Sequence, residues 1–219
     1  MSAMASESEP TLLGGPDPAR LDPQTLDLLG RARAGDAPAY DELFARAIER
    51  VLVFVRARLG PRLAGKLEPM DLLQETYAEA HKAFASFEYR GDGSFVRWLC
   101  RIAENQIRGQ ANHFGAAKRR SPGGVLPVTR VLERARTTAT GPGTALGRVE
   151  DRDRLVEALA KLTEEERQAI LLRFFQDRTI DEIATALETS ASSARRILGR
   201  AVERLGAMVA PPETRPAER

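Results

Sequence analysis

Three groups of polar side chains have types and spacings suited to recognition rather than to making or breaking bonds. Asp71, Gln74 and Glu75 lie three and four positions apart. On a helix that spacing sets two carboxylates one turn apart beside an amide, a fit for an Arg-bearing partner. Arg97, Trp98, Arg101, Asn105 and Arg108, preceded by Phe95, interleave cations, rings and an amide. Such a set can pair with phosphates, stack on unpaired bases and bond a base edge. In the third group, Ser192, Ser193, Arg195, Arg196 and Arg200, arginine can grip guanine at two points and serine can donate or accept.

Bond-making chemistry finds little support. Cys100 is the only cysteine, so no intramolecular disulfide forms, and no base is placed to activate it as a nucleophile. With only His81 and His113 beside it, a zinc site of Cys and His ligands has too few candidates. We therefore expect no catalytic residue, no metal and no cofactor. The chain of 219 residues is 42% hydrophobic and 29% charged, ordinary values for a globular protein. No apolar run approaches the roughly 18 residues of a membrane span, and the acidic, Pro/Gly-rich start MSAMASESEPTLLGGPDP is unlike a secretory signal. A cytoplasmic protein without a membrane partner is expected. The net charge of +2 says little, but between Ser94 and Arg120 six Lys and Arg side chains face the single acid Glu104. Such segregation is a stronger nucleic-acid signal than a net value.

The elements that carry these groups read as helices throughout. Leu26, Leu29 and Ala32 begin a helical period near Pro23, which breaks at Gly35-Asp36. Ala37-Pro38 starts a second helix whose apolar face is Tyr40, Leu43, Phe44, Ala47, Ile48, Val51, Leu52 and Val55, expected to stop before Gly60-Pro61. In the helix from Met70, Leu73, Tyr77, Ala80, Phe84 and Phe87 form a core stripe, with Asp71, Gln74, Glu75 and Ala78 on a neighbouring outward strip. After an RGDG break, Ser94 is the expected N-cap of a helix that buries Phe95, Trp98, Leu99, Ile102 and Ile107. Pro and Gly then punctuate a linker, inside which Val128–Arg136 can form one short helix.

Helical periodicity returns at Val149. Two capping boxes follow, Thr163 to Glu166 and Thr179 to Glu182, each opening a helix. The first helix points Ile170, Leu171 and Phe174 inward. The second, with Ile180, Ile183, Ala184 and Leu187, passes through Glu188-Thr189-Ser190 into a last helix holding Ala194, Ile197, Leu198, Ala201 and Leu205. Two short helices about a tight turn, the second basic, describe a helix-turn-helix, with Ser190 its N-cap. The fold class is all-α: two small helical domains joined by a flexible linker. Residues 1–24 are a disordered tail, 25–114 the first domain, 115–148 the linker, 149–209 the helix-turn-helix domain and 210–219 a second disordered tail.

DLLQETY at Asp71–Tyr77 and GSFVRWLCRIAEN at Gly93–Asn105 resemble the promoter-melting domain of bacterial RNA polymerase sigma factors. The likeness is to the small extracytoplasmic-function (ECF) group. Leu162–Leu205, opening LTEEER, resembles the same family's promoter-reading domain. The resemblance implies a chain that binds core RNA polymerase and recognises and melts promoter DNA. Asp71, Gln74 and Glu75 would dock on the polymerase. Arg97, Trp98, Arg101, Asn105 and Arg108 would hold the melted minus-ten strand, and Ser192, Ser193, Arg195, Arg196 and Arg200 the upstream duplex. An anti-sigma protein clasping both domains is a further partner that it admits.

Two departures stand out. Glu88-Tyr89-Arg90 lengthens the loop before Gly91, and Ala191-Ser192-Ser193-Ala194 replaces the acidic and Gly-Thr pattern of relatives, so upstream specificity does not transfer. A conventional helix-turn-helix regulator with a helical sensor domain is the competing reading. It would bind duplex DNA without polymerase. Promoter elements two DNA turns apart are about 70 Å from one another, whereas a flexible linker of about 30 residues spans ~30 Å on average. A partner that extends the linker is therefore expected, and Lys118, Arg119, Arg120, Arg130, Arg134 and Arg136 would follow nucleic acid along it.

Overall fold

A computed structural model describes residues 22–63, 67–91, 93–113 and 142–209. Outside these lie Phe114, the six linker cations from Lys118 to Arg136, the short helix expected at Val128–Arg136, and nearly all of both tails. Among the described residues every regular element is helical.

Helix α1, Pro23–Arg33, starts on proline, with Asp22 accepting from the Gln24 and Thr25 amides. Its buried residues are Leu28 and Leu29, whereas Leu26, expected inward, is exposed. Gly35 turns the chain at φ 92° into α2, Ala37–Leu63. That helix runs through Gly60-Pro61 rather than stopping before it. Pro61 falls in its last turn, two residues before the end at Leu63. Helix α3, Pro69–Ala83, tightens into a single 3-10 turn at Phe84–Ser86, and α4 spans Ser94–His113. Ser94 is the first residue of α4 rather than its cap; its hydroxyl accepts from the Arg90 amide and ties down the preceding loop.

Helices α1, α3 and α4 pack around α2. The core includes Phe44, Ile48, Leu73, Leu99 and Ile107, all but excluded from solvent. Tyr40, Tyr77, Phe84, Phe87, Phe95 and Trp98 add a continuous aromatic cluster, with Phe87 and Trp98 centroids 5.0 Å apart and Phe87 and Phe95 5.3 Å. Polar pins fix its orientation. The Tyr77 hydroxyl donates to Asp41 at 2.5 Å and Arg33 donates to the Phe87 carbonyl at 2.6 Å.

The second module comprises α5 (Pro142–Ala160), α6 (Glu164–Ile170), α7 (Ile180–Ala186) and α8 (Ala191–Val209). Helix α5 begins at Pro142, seven residues before the expected Val149, because proline's missing amide costs nothing at a first helical position. Both capping boxes form, at Thr163/Glu166 and Thr179/Glu182. A π turn, Leu171–Phe175, follows α6. Its wider winding rotates the phase, so Phe175 is buried and Phe174, expected inward, is only half-buried.

Candidate nucleic-acid interface

The acidic strip lies on α3. Asp71 is exposed in the first turn, and Gln74 and Glu75 are half-buried. Gln110 of α4 donates to Glu75 Oε2 at 2.6 Å, and the Thr76 hydroxyl, which also donates to the Leu72 carbonyl, meets Gln106 Oε1 at 3.0 Å. These pairs set the register of α3 on α4. Burial pushes the Glu75 carboxyl above the usual carboxylate range; the Gln110 bond opposes this and the Asp71 charge reinforces it. Sequence reading missed Thr76, Gln106 and Gln110 as positioning groups. A threonine inside the apolar stripe of α3 was the available signal, since a buried hydroxyl requires a partner.

Helix α4 divides its polar residues between two jobs. Arg101 and Asn105 are exposed one turn apart, with half-buried Trp98 beside them on the same edge. Phe95 is core, and Trp98 packs one face on Phe87 and Phe95. Arg108 is turned along its own helix, its Nε donating to Glu104 Oε1 at 2.6 Å. Arg97 and Arg101 reach the second module, with Arg97 3.8 Å from Asp177 and Arg101 Nη2 3.5 Å from the Gln176 carbonyl. A cleft of about 170 Å³ lined by Thr25, Arg46, Arg50, Tyr89 and Phe95 lies beside the loop that precedes α4. Cys100 is enclosed, and burial pushes its thiol up, which disfavours the thiolate.

In the second module, α7 and α8 pack through Ile183, Ala184, Ala194 and Ile197. The turn between them is closed by the Thr189 amide bonding the Ala184 carbonyl at 2.9 Å, with Glu188 at φ 52°. Ser190 caps α8 by accepting from the Ser193 amide at 3.2 Å, as its position suggested. Ser192, Arg195, Arg196 and Arg200 are exposed, while Ser193 is half-buried and bonded to Ser190. The outward face of the second helix therefore carries three guanidinium groups within its first three turns.

A basic helix-turn-helix in one module and an exposed edge of Trp, Arg and Asn in the other suit the class of helix-turn-helix DNA-binding proteins. The comparisons with known proteins narrow this class. The family model for sigma-70 region 2 matches residues 43–111, and that for sigma-70 region 4 matches residues 152–205. Together they cover more than half of the chain. The chain is 28% identical over 186 residues to the ECF RNA polymerase sigma factor BldN of Streptomyces coelicolor, covering 84% of this chain and 65% of that protein. It is also 28% identical to the RNA polymerase sigma-H factor of Pseudomonas aeruginosa, covering 86% and 95%, and to the ECF RNA polymerase sigma-E factor of Escherichia coli, covering 84% and 93%. A solved structure of CnrH in complex with the cytosolic domain of CnrY aligns at a TM-score of 0.44 and 22% identity, covering 85% of this chain and 97% of that one. The chain belongs to the sigma-70 family, in its ECF group. Its function is to direct transcription initiation, and its partners are core RNA polymerase and promoter DNA.

Proposed function

We propose the following division of labour for the sigma factor. Asp71, Gln74 and Glu75 of α3 dock on a basic surface of core polymerase. The exposed edge of α4 holds the melted minus-ten strand, with Asn105 bonding a base edge, Arg97 and Arg101 pairing with phosphates, and Trp98 offering its free edge. Arg108 serves chiefly as a partner of Glu104 and secondarily as a phosphate contact. In α8, Arg195, Arg196 and Arg200, with Ser192 and Ser193, read the upstream duplex. Residues 25–114 and 149–209 are the two working domains, and residues 115–148 connect them. The chain acts by binding rather than as an enzyme, and works in the cytoplasm. No helix among the described residues is long and apolar enough to cross a membrane.

The observation that carries this reading is the exposure of Arg101 and Asn105 on an edge otherwise built of packed aromatics. Burying those polar groups would be costly, whereas an exposed row of this kind suits unpaired DNA. Run-off transcription with purified core polymerase and promoter DNA tests it. Transcript is expected only when chain and core are combined, and less with Asn105→Ala at equal polymerase binding. Tight duplex binding by the chain alone, with no transcript on adding core, would overturn the reading.

A further inference from the structure

Five consecutive residues of α2, Val51, Leu52, Val53, Phe54 and Val55, are all buried. A helix packed on one side buries a stripe rather than its whole circumference, so α2 is covered from two directions. Helices α1, α3 and α4 form one cover. The other is the second module. Fully enclosed Phe54 meets Phe175 with ring centroids 5.8 Å apart. Nearby, Arg56 Nη1 donates to Asp153 at 2.8 Å, and Arg152 pairs with Glu49 at 3.5 Å. The two modules are thus closed on one another through an aromatic contact flanked by ion pairs.

This closure reaches the DNA edge of α4. Asp177, just after the π turn, lies 3.8 Å from Arg97 of α4 and 3.6 Å from Arg173 of its own module. The Gln176 carbonyl faces Arg101 at 3.5 Å. Around Arg101 positive charge predominates: burial first, then Arg178, Arg97 and Arg90, disfavour its protonated form, with Glu182 opposing them. Cations of both modules therefore converge on one spot, with the Asp177 carboxylate between them. The duplex-reading face stays open, since Arg195, Arg196 and Arg200 remain exposed.

We propose that Asp177 is an internal stand-in for a DNA phosphate, seated between Arg97 and Arg173, which holds the modules closed and keeps the α4 arginines from single-stranded DNA until they separate. The proposal rests on the reading of α4 as the strand-holding helix. Separation is required in any case for modules in direct contact to reach promoter elements about 70 Å apart. The geometry also orders events: the closed chain can touch duplex through α8, and only the open one can hold a melted strand. A closed sigma factor is thereby restrained from stray single strands.

The test uses the full chain with dyes on cysteines placed at exposed Glu79 and Ala207, because enclosed Cys100 stays unlabelled. Energy transfer reports closure, and anisotropy of labelled oligodeoxythymidylate reports strand binding. Asp177→Asn preserves the fold, since Asn tolerates the φ of 55° at this position as well as Asp. Asp153→Asn weakens the closure away from α4, and Asp181→Asn, exposed and without an ion pair among the described residues, is a control for the loss of one negative charge. Asp177→Asn and Asp153→Asn should each lower energy transfer and tighten strand binding about two- to fivefold, the scale of one surface ion pair. Asp181→Asn should do neither. Equal energy transfer in Asp177→Asn and Asp181→Asn would overturn the closure. Modules that open with no gain in strand binding, and no loss on adding Arg101→Ala, would instead overturn the reading of α4.

Discussion

Arg58 of α2 and Glu104 of α4 meet fork to fork, Nε to Oε2 at 2.8 Å and Nη2 to Oε1 at 3.1 Å, with Arg108 donating to the same carboxylate at 2.6 Å. Glu104 is 7% exposed and Arg58 25%. The pair joins α2, the central helix of the first module, to α4, the helix that carries the exposed Arg101 and Asn105. Removing one member of a buried pair leaves the other unpaired. Glu104→Ala is therefore expected to cost about 3 kcal/mol in urea unfolding, whereas Arg108→Ala removes only the exposed partner and leaves Glu104 paired with Arg58, so it should cost about 0.5 kcal/mol.

Burial raises the Glu75 carboxyl, so the folded chain favours its protonated form. For an acid with a raised folded pKa, the stabilising contribution is complete below the unfolded carboxylate range and is lost as pH rises through the folded pKa. Glu75→Gln keeps an oxygen for Gln110 and removes the buried charge. Its urea midpoint should exceed that of the wild type at neutral pH, with the difference closing as pH falls below the carboxylate range. Weaker polymerase binding by this more stable variant would mark Glu75 as a docking group kept at the expense of stability.

Charge reversal at Asp71 separates docking from folding. This side chain is exposed and has no ion pair among the described residues. Asp71→Lys should leave the unfolding midpoint within about 0.5 kcal/mol of wild type and sharply reduce pull-down of core polymerase. Combined with Glu75→Lys, it should abolish pull-down. Undiminished pull-down by the double variant would remove α3 from the docking surface.

At the other end of the chain, Arg196→Ala should weaken upstream duplex binding by about 1–3 kcal/mol and relax preference at one base pair. Asn105→Ala should leave that binding unchanged while lowering transcription across minus-ten variants. A footprint of each holoenzyme on the same promoter distinguishes the two.

Glu188 holds a left-handed conformation, φ 52°, in the turn of the helix-turn-helix. A residue with a Cβ pays about 1 kcal/mol there, partly offset in any glycine variant by extra freedom in the unfolded chain. Glu188→Gly should raise stability by about 0.5 kcal/mol, seen as a small rise in Tm, with duplex affinity retained.

Local patterns carried most of the element order. The two capping boxes, the Ser190 cap and the Gly35 break act within four residues, and each formed as its spacing required. The two errors of facing share one cause, which is that each depends on partners far along the chain. Leu28 rather than Leu26 turned inward because α1 lies along α2, and the π turn exchanged Phe174 for Phe175 at the face that meets Phe54. The run VLVFV at 51–55 was a legible sign that α2 is buried all round, although not of what would cover it.

The sequence by itself determined an all-α chain of two modules, a helix-turn-helix in the second, and the candidate residues for DNA and polymerase contact, because helix period, caps and charge spacing are local properties. Only the tertiary structure decided how those residues are employed. It set α3 on α4 through Thr76–Gln106 and Glu75–Gln110, turned Arg108 toward Glu104, and brought Asp177 against Arg97 from 80 positions away. Contacts of that separation follow from how whole faces pack, and no spacing within one helix encodes them.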